Sequence, residues 1–195
     1  MRLKRFIPMA VVLVAGSMKA QNVEKTLKWA RENIDAHAVT HRLEPPSNIS
    51  GTKWEVARIE GCTVELKETA HREAPESVAK SEGVFGFSED KVVTWTFDLG
   101  ALLPQFVMAD TSAGAPHIKI FAEGDAFHLK TETSSKLLNK DGTVESSSNW
   151  SNAGNARNLT MYFDSPSTDN KVIVRRLETD LRDAVALCSV QARVQ

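Results

Sequence analysis

The stretch Trp54-Glu55-Val56-Ala57-Arg58-Ile59-Glu60-Gly61-Cys62-Thr63-Val64-Glu65-Leu66 decides the fold. Trp54 and Val56 alternate with Glu55 and Ala57; Cys62, Val64 and Leu66 alternate with Thr63, Glu65 and Lys67. Successive side chains of a strand point to opposite sides, so a period of two with one apolar set marks a half-buried strand. Glu60-Gly61 supplies a tight turn between the two runs, and the pair reads as an antiparallel hairpin with one apolar face.

The alternation continues downstream. Val93, Trp95 and Phe97 mark one strand, Ile118 and Ile120 another, and Leu159, Met161 and Phe163 the last clear one. Phe106 to Met108 reads as a short strand. Glu123-Gly124-Asp125 turns the chain into Phe127 and Leu129, and Asn139-Lys140-Asp141-Gly142 is a hairpin turn. Two segments lack the pattern. Residues 68–83 are polar, contain Pro75 and read as a long loop or a short surface helix. Ser146 to Asn155 reads as a polar loop carrying Trp150.

Helices flank the strands. Val23, Leu27, Ala30 and Ile34 recur at helical spacing behind Asn22, a suitable N-cap, and this helix ends near Ala36 to Ala38. Pro45-Pro46 then enforces an extended linker over about 40–51. At the other end Val174, Leu177, Leu181, Ala184 and Cys188 share one stripe, with Thr168 or Asp169 as its cap. Hairpin turns rather than helical crossovers join the strands, which excludes a parallel sheet. The expected class is α+β: an N-terminal helix, about seven to eight antiparallel strands in a strongly bent sheet or small barrel, and a C-terminal helix. By element order this looks similar to the pleckstrin-homology-like architecture, an antiparallel barrel plugged by a final helix.

The first residues carry an address. Met1-Arg2-Leu3-Lys4-Arg5 is cationic, Phe6 to Ala15 is apolar, and small residues follow at Gly16, Ser17 and Ala20. That order is the layout of a secretory signal peptide. The apolar run is far shorter than the roughly 20 residues that a membrane-spanning helix needs. Cleavage after Ser17 or Ala20 fits, with Ala20 favoured, so residues 1–20 are the expected signal and 21–195 a single domain, periplasmic or secreted. Residues 1–20 hold four of the 24 basic residues and none of the 25 acidic ones, so the mature chain carries 20 against 25, a net charge of −5. No basic block remains, which argues against nucleic acid as a partner. No integral membrane segment is expected after cleavage.

The mature chain has two cysteines, Cys62 on the apolar hairpin face and Cys188 on the apolar helix stripe. An oxidising compartment permits a bridge between them. The alternative is two buried thiols packed as small apolar groups. Thr26-Leu27-Lys28-Trp29, Trp54 with Gly61-Cys62, Val93 to Leu99, and Ala184 to Cys188 together resemble a group of uncharacterised exported bacterial proteins. The resemblance implies a secreted or periplasmic β-rich domain and brings no activity or catalytic residues with it.

Chemistry is sparse. There is no Gly-x-Ser-x-Gly elbow, no Gly-rich phosphate loop and no Cys-x-x-Cys. His37 and His41 are four apart but lack the Glu of the zinc-protease spacing, and His117 and His128 read as exposed residues of neighbouring strands. No catalytic, cofactor-binding or metal-ligating residue is assigned. Trp54 and Trp95 fall on apolar strand faces and read as core. Trp29 and Trp150 fall off such faces and read as contact anchors for a partner or ligand. The leading functional expectation is a non-catalytic exported module that binds an envelope or extracellular protein. A carrier of a small apolar ligand held within the curved sheet comes second, and a hydrolase with a site assembled from distant residues third.

Overall fold

The computed structural model describes residues 10–44, 48–74, 86–112, 114–139, 141, 143–165 and 169–192. Helix α1 (Ala10–His37) leads into strands β1 (Val39–Glu44), β2 (Asn48–Glu60), β3 (Thr63–Ala74) and β4 (Gly86–Asp98). Two short 3-10 turns, Leu99–Ala101 and Pro104–Phe106, precede β5 (Val107–Asp110), β6 (His117–Phe121), β7 (Phe127–Leu138), β8 (Val144–Ala156) and β9 (Asn158–Tyr162). Helix α2 (Asn170–Ala192) closes the chain's described part.

The deciding hairpin is β2 against β3, with Val56 opposite Leu66 and Ile59 opposite Val64. Gly61 turns it with a φ of 60°, a conformation that glycine adopts without a steric cost. The step from Val56 to Ile59 is three residues because a bulge inserts Ala57 between two regular halves. The bulge keeps Ile59 on the side of Trp54 and Val56. The Val56 amide is satisfied from outside the sheet: it donates to Asp35 Oδ1 of α1 at 2.6 Å, which docks the helix on the strand.

The nine strands among the described residues form two sheets, all neighbours antiparallel. The larger has the order β1-β2-β3-β4-β7-β8 and the smaller β5-β6-β9. The α+β class and the flanking helices are as expected, whereas the barrel alternative is not what forms. The chain leaves β6 for the other sheet at β7, so Phe121 pairs with Asn158 of β9 and the sheets stay separate.

Paired residues share a face, so register defines rows across the large sheet. One row is Val56–Leu66–Trp95–Leu129–Gly154 and the next is Trp54–Glu68–Val93–Thr131–Asn152. On this face Trp54, Val56, Val64, Leu66, Phe97 and Phe127 are buried. They join Val23, Leu27, Ala30 and Ile34 of α1, Val174, Leu177, Leu181 and Ala184 of α2, and Val107, Ile118, Ile120, Leu159 and Met161 of the small sheet in one core. The opposite face is polar and carries exposed ion pairs such as Lys67–Glu55 at 3.6 Å and Lys130–Glu132 at 2.7 Å. Such pairs add little stability.

Cys62 and Cys188 are bonded, with Cα atoms 5.8 Å apart and 126 residues between them in sequence. The bridge ties the β2–β3 turn to α2. Gly100 lies against the same point, where a Cβ would stand 3.4 Å from the Cys188 carbonyl oxygen.

Several local expectations change. Residues 68–74 extend β3 instead of forming a loop, because they pair with β2 on one side and β4 on the other. The segment from Ser146 to Asn155 is strand, not loop. The stretch read as a linker holds β1 and the start of β2, and Pro45 and Pro46 lie outside the described residues. Helix α1 runs through Asn22 from Ala10, so Asn22 does not cap it. Asp169 fills the cap position of α2, its carbonyl accepting from Val172 and Ile173, while Thr168 lies outside the described residues.

Two outcomes check this core. Reducing the Cys62–Cys188 bridge lowers unfolding free energy by about 5 kcal/mol in urea titrations, as the loss of so long a loop closure implies. Leu177, with 0% exposure at the centre of the α2 stripe, costs about 2–5 kcal/mol when changed to Ala.

Candidate functional site

Four strands end the two sheets, and three of them are short or bonded. At β1, six residues long, the Val39 carbonyl accepts from the Asp164 amide at 2.9 Å, just past the end of β9. That bond joins an edge of each sheet. At β5, four residues long, the Val107 carbonyl accepts from Arg182 Nε of α2 at 2.9 Å. The fourth edge, β8, is 13 residues long and exposed at every position from Val144 to Asn155. Among the described residues β8 pairs with β7 alone, and its other side presents unpaired backbone amides and carbonyls.

A bare edge of this length is a template for another strand, and proteins ordinarily block it with Lys, Pro or bulges. The β8 sequence, Val-Glu-Ser-Ser-Ser-Asn-Trp-Ser-Asn-Ala-Gly-Asn-Ala, contains no Lys, Arg or Pro and one charge, Glu145. Its irregularity sits at the hairpin end, where the register shifts between Leu137 and Leu138 and Glu145 is left over. From Ser146 to Ala156 the pairing is regular. Trp150 stands at mid-strand with half of its surface in solvent (51%). It shares a row with Thr133, Lys91, Ala70 and Thr52. A depression of about 490 Å³ lies beside it, lined by Val92, Glu132, Ser134, Asn149 and Ser151 among others.

A second concavity, of about 520 Å³, opens between the large sheet and β9, where Trp54, Glu68, Arg72, Lys91 and Tyr162 meet. Burial raises the pKa of Glu68 above the usual carboxylate range, against the pull of the Trp95 indole, which donates to Oε2 at 3.0 Å, and of Lys91. The carboxylate thus serves the half-buried indole. Beside the cleft, His117 is stacked on Tyr162 with ring centroids 4.9 Å apart. Its Nδ1 lies 3.1 Å from the Ala115 carbonyl and its Nε2 is 3.7 Å from Asp110.

The other sequence-marked residues resolve as follows. His117 is buried rather than exposed, because its ring lies against Tyr162 and within reach of Asp110 and the Ala115 carbonyl. His128 is on β7 in the other sheet and donates to Asn155 Oδ1 at 2.9 Å, so the two histidines do not pair. His37 ends α1 and His41 belongs to β1, so no helix face joins them. His71, on the solvent side, bonds Asp90 at 2.6 Å, the main reason its pKa is raised, and Glu73 at 3.0 Å. Among the described residues, no three His, Cys, Asp or Glu side chains form a metal-ligand set. Trp54 is core, and Trp95 packs half-buried against it at a 5.7 Å centroid distance. Trp29 is half-buried too, with the Arg176 guanidinium 4.0 Å above its ring, so it fastens α1 to α2. Trp150 keeps its open face.

No family model matches the chain, and no curated protein or solved structure is similar to it.

Glu68→Gln retains an acceptor for Trp95 and removes the buried charge. Because the folded state raises this pKa, wild type is penalised at neutral pH and recovers as pH falls toward the unfolded value of 4.5. The variant is therefore more stable at pH 7 in thermal melts, and the difference closes on acidification. Arg176→Ala lowers stability by about 0.5–1 kcal/mol through the lost contact with Trp29, measured in the same way.

Proposed function

We propose that this chain is an exported, non-catalytic protein-interaction module that binds an extended protein segment by adding it to the β8 edge. The observation that carries the reading is the contrast among edges: β1 and β5 are short and bonded, and β8 is long, bare and free of blocking residues. In strand addition the main chain supplies affinity and alternate side chains supply specificity. The occupant that β8 fits is uncharged, with small side chains and room for Trp150.

Export draws support from the cationic, apolar and small-residue order of residues 1–20, and the Cys62–Cys188 bridge is compatible with an oxidising compartment. The apolar-carrier alternative draws little support: the cavity among Leu27, Ile34, Leu66, Phe97 and Leu181 has room for about 20 Å³, whereas ligand pockets hold roughly 300–1,000 Å³.

The test is site-specific photocrosslinking in the compartment where the protein accumulates. A photoreactive residue at Asn149 gives a discrete adduct, one at exposed Arg175 of α2 gives none, and Ser151→Lys abolishes the first. Adducts that form from Arg175 alone, or that ignore the lysine, sink strand addition at β8.

A further inference from the structure

The β8 sequence constrains the partner further. An antiparallel pair of identical strands is related by a twofold axis, so each residue i faces the residue at a constant sum with i, and one residue can face its own copy. With Trp150 on the axis, Ser146 faces Gly154, Ser147 faces Ala153, Ser148 faces Asn152 and Asn149 faces Ser151. Every opposed pair is small or polar and uncharged, and the two Trp150 rings meet across the axis. Like charges placed directly opposite destabilise a sheet and aromatic pairs stabilise it. The register has none of the first and one of the second. It also uses the regular part of β8 and leaves Glu145, with its register shift, outside at both ends.

We propose that the segment received by β8 is β8 of a second copy of this chain, paired antiparallel about Trp150, so that two six-stranded sheets become one continuous sheet. This rests on the strand-addition reading and names its partner. The half-exposed Trp150 is covered in the pair, and the bare edge is removed on both copies at once. The remaining free ends of the joined sheet are the two β1 strands, whose Val39 carbonyls are already bonded within each copy.

The experiment uses the purified full chain with its native bridge intact. Sedimentation velocity gives wild type at twice the chain mass. Asn149→Lys with Ser151→Lys sets lysines opposite lysines across the axis, while within its own sheet residue 151 lies beside Glu132, which receives the charge. This variant stays folded and weakens dimerisation by about tenfold or more. Oxidation of Trp150→Cys then reads the register. Opposed residues have Cα atoms about 4.5–5.5 Å apart, within disulfide reach. The two copies of residue 148 are separated by about 13 Å and are not. Trp150→Cys therefore crosslinks to a covalent dimer and Ser148→Cys does not.

A wild type that remains monomeric, or a dimer that the lysines leave unchanged, overturns self-pairing. A crosslink at Ser148→Cys but not at Trp150→Cys overturns the register. If wild type is monomeric while Asn149 photocrosslinks to a different protein and Ser151→Lys abolishes that adduct, self-pairing falls and strand addition stands. If Asn149 captures nothing as well, both fall.

Discussion

Val56, Val64, Leu66 and Phe97 on one sheet face meet Leu27 and Ile34 of α1, Leu181 of α2, and Ile120 and Met161 of the small sheet, with only about 20 Å³ of space between them. Everything else is held in place from this contact. Three kinds of element converge on one half of the long strands, and each alone would leave an apolar face in water. The strands continue past the core. β4 has 13 residues, about 43 Å of extended chain, and the packed layer covers only part of it. Beyond Trp54 and Val93 the same face is lined by Thr52, Ala70 and Lys91, and further on by Arg72 and Glu89. The polar cleft and the β8 edge both belong to this overhang.

An overhang of this kind separates stability from recognition. Core residues are fixed by volume, and their substitution is felt throughout the domain. The outer half has two wet faces and is held by backbone pairing with β7, β4 and β3, so its side chains are free to be chosen for other reasons. Serine and asparagine on β8 bring neither the charge nor the bulk that would repel another strand.

The legibility of the sequence follows the same division. Where one face is buried, alternation is forced, and the β2–β3 hairpin, β4, β6, β9 and both helix stripes can be read directly. The placement of Cys62 and Cys188 on inward faces belongs to this class, and they are bonded. The residues from Glu68 to Ala74 and all of β8 have no hydrophobic period to show, because the overhang buries neither face continuously. Polar composition was the only local signal, and it reads as loop. Trp150 could be singled out as an exposed aromatic, but the strand that presents it could not. Trp29, chosen by the same logic, has an intramolecular partner in Arg176, which lies 147 positions away and has no local signature. The division into two sheets was hidden too: Glu123-Gly124-Asp125 looks like a hairpin turn, yet β6 pairs with β9 and β7 with β4. Neighbour pairing follows from turns, and distant pairing does not.

The bridge also fixes an order of events during synthesis. Cys188 follows Cys62 by 126 residues, so covalent closure waits until α2 has emerged, after the nine described strands. With two cysteines in the whole chain, oxidation within one molecule has a single possible product. No mispaired isomer exists to be reshuffled, and the only wrong bond open to this protein is one between two molecules. Maturation of the thiols therefore calls for an oxidant but not for an isomerase.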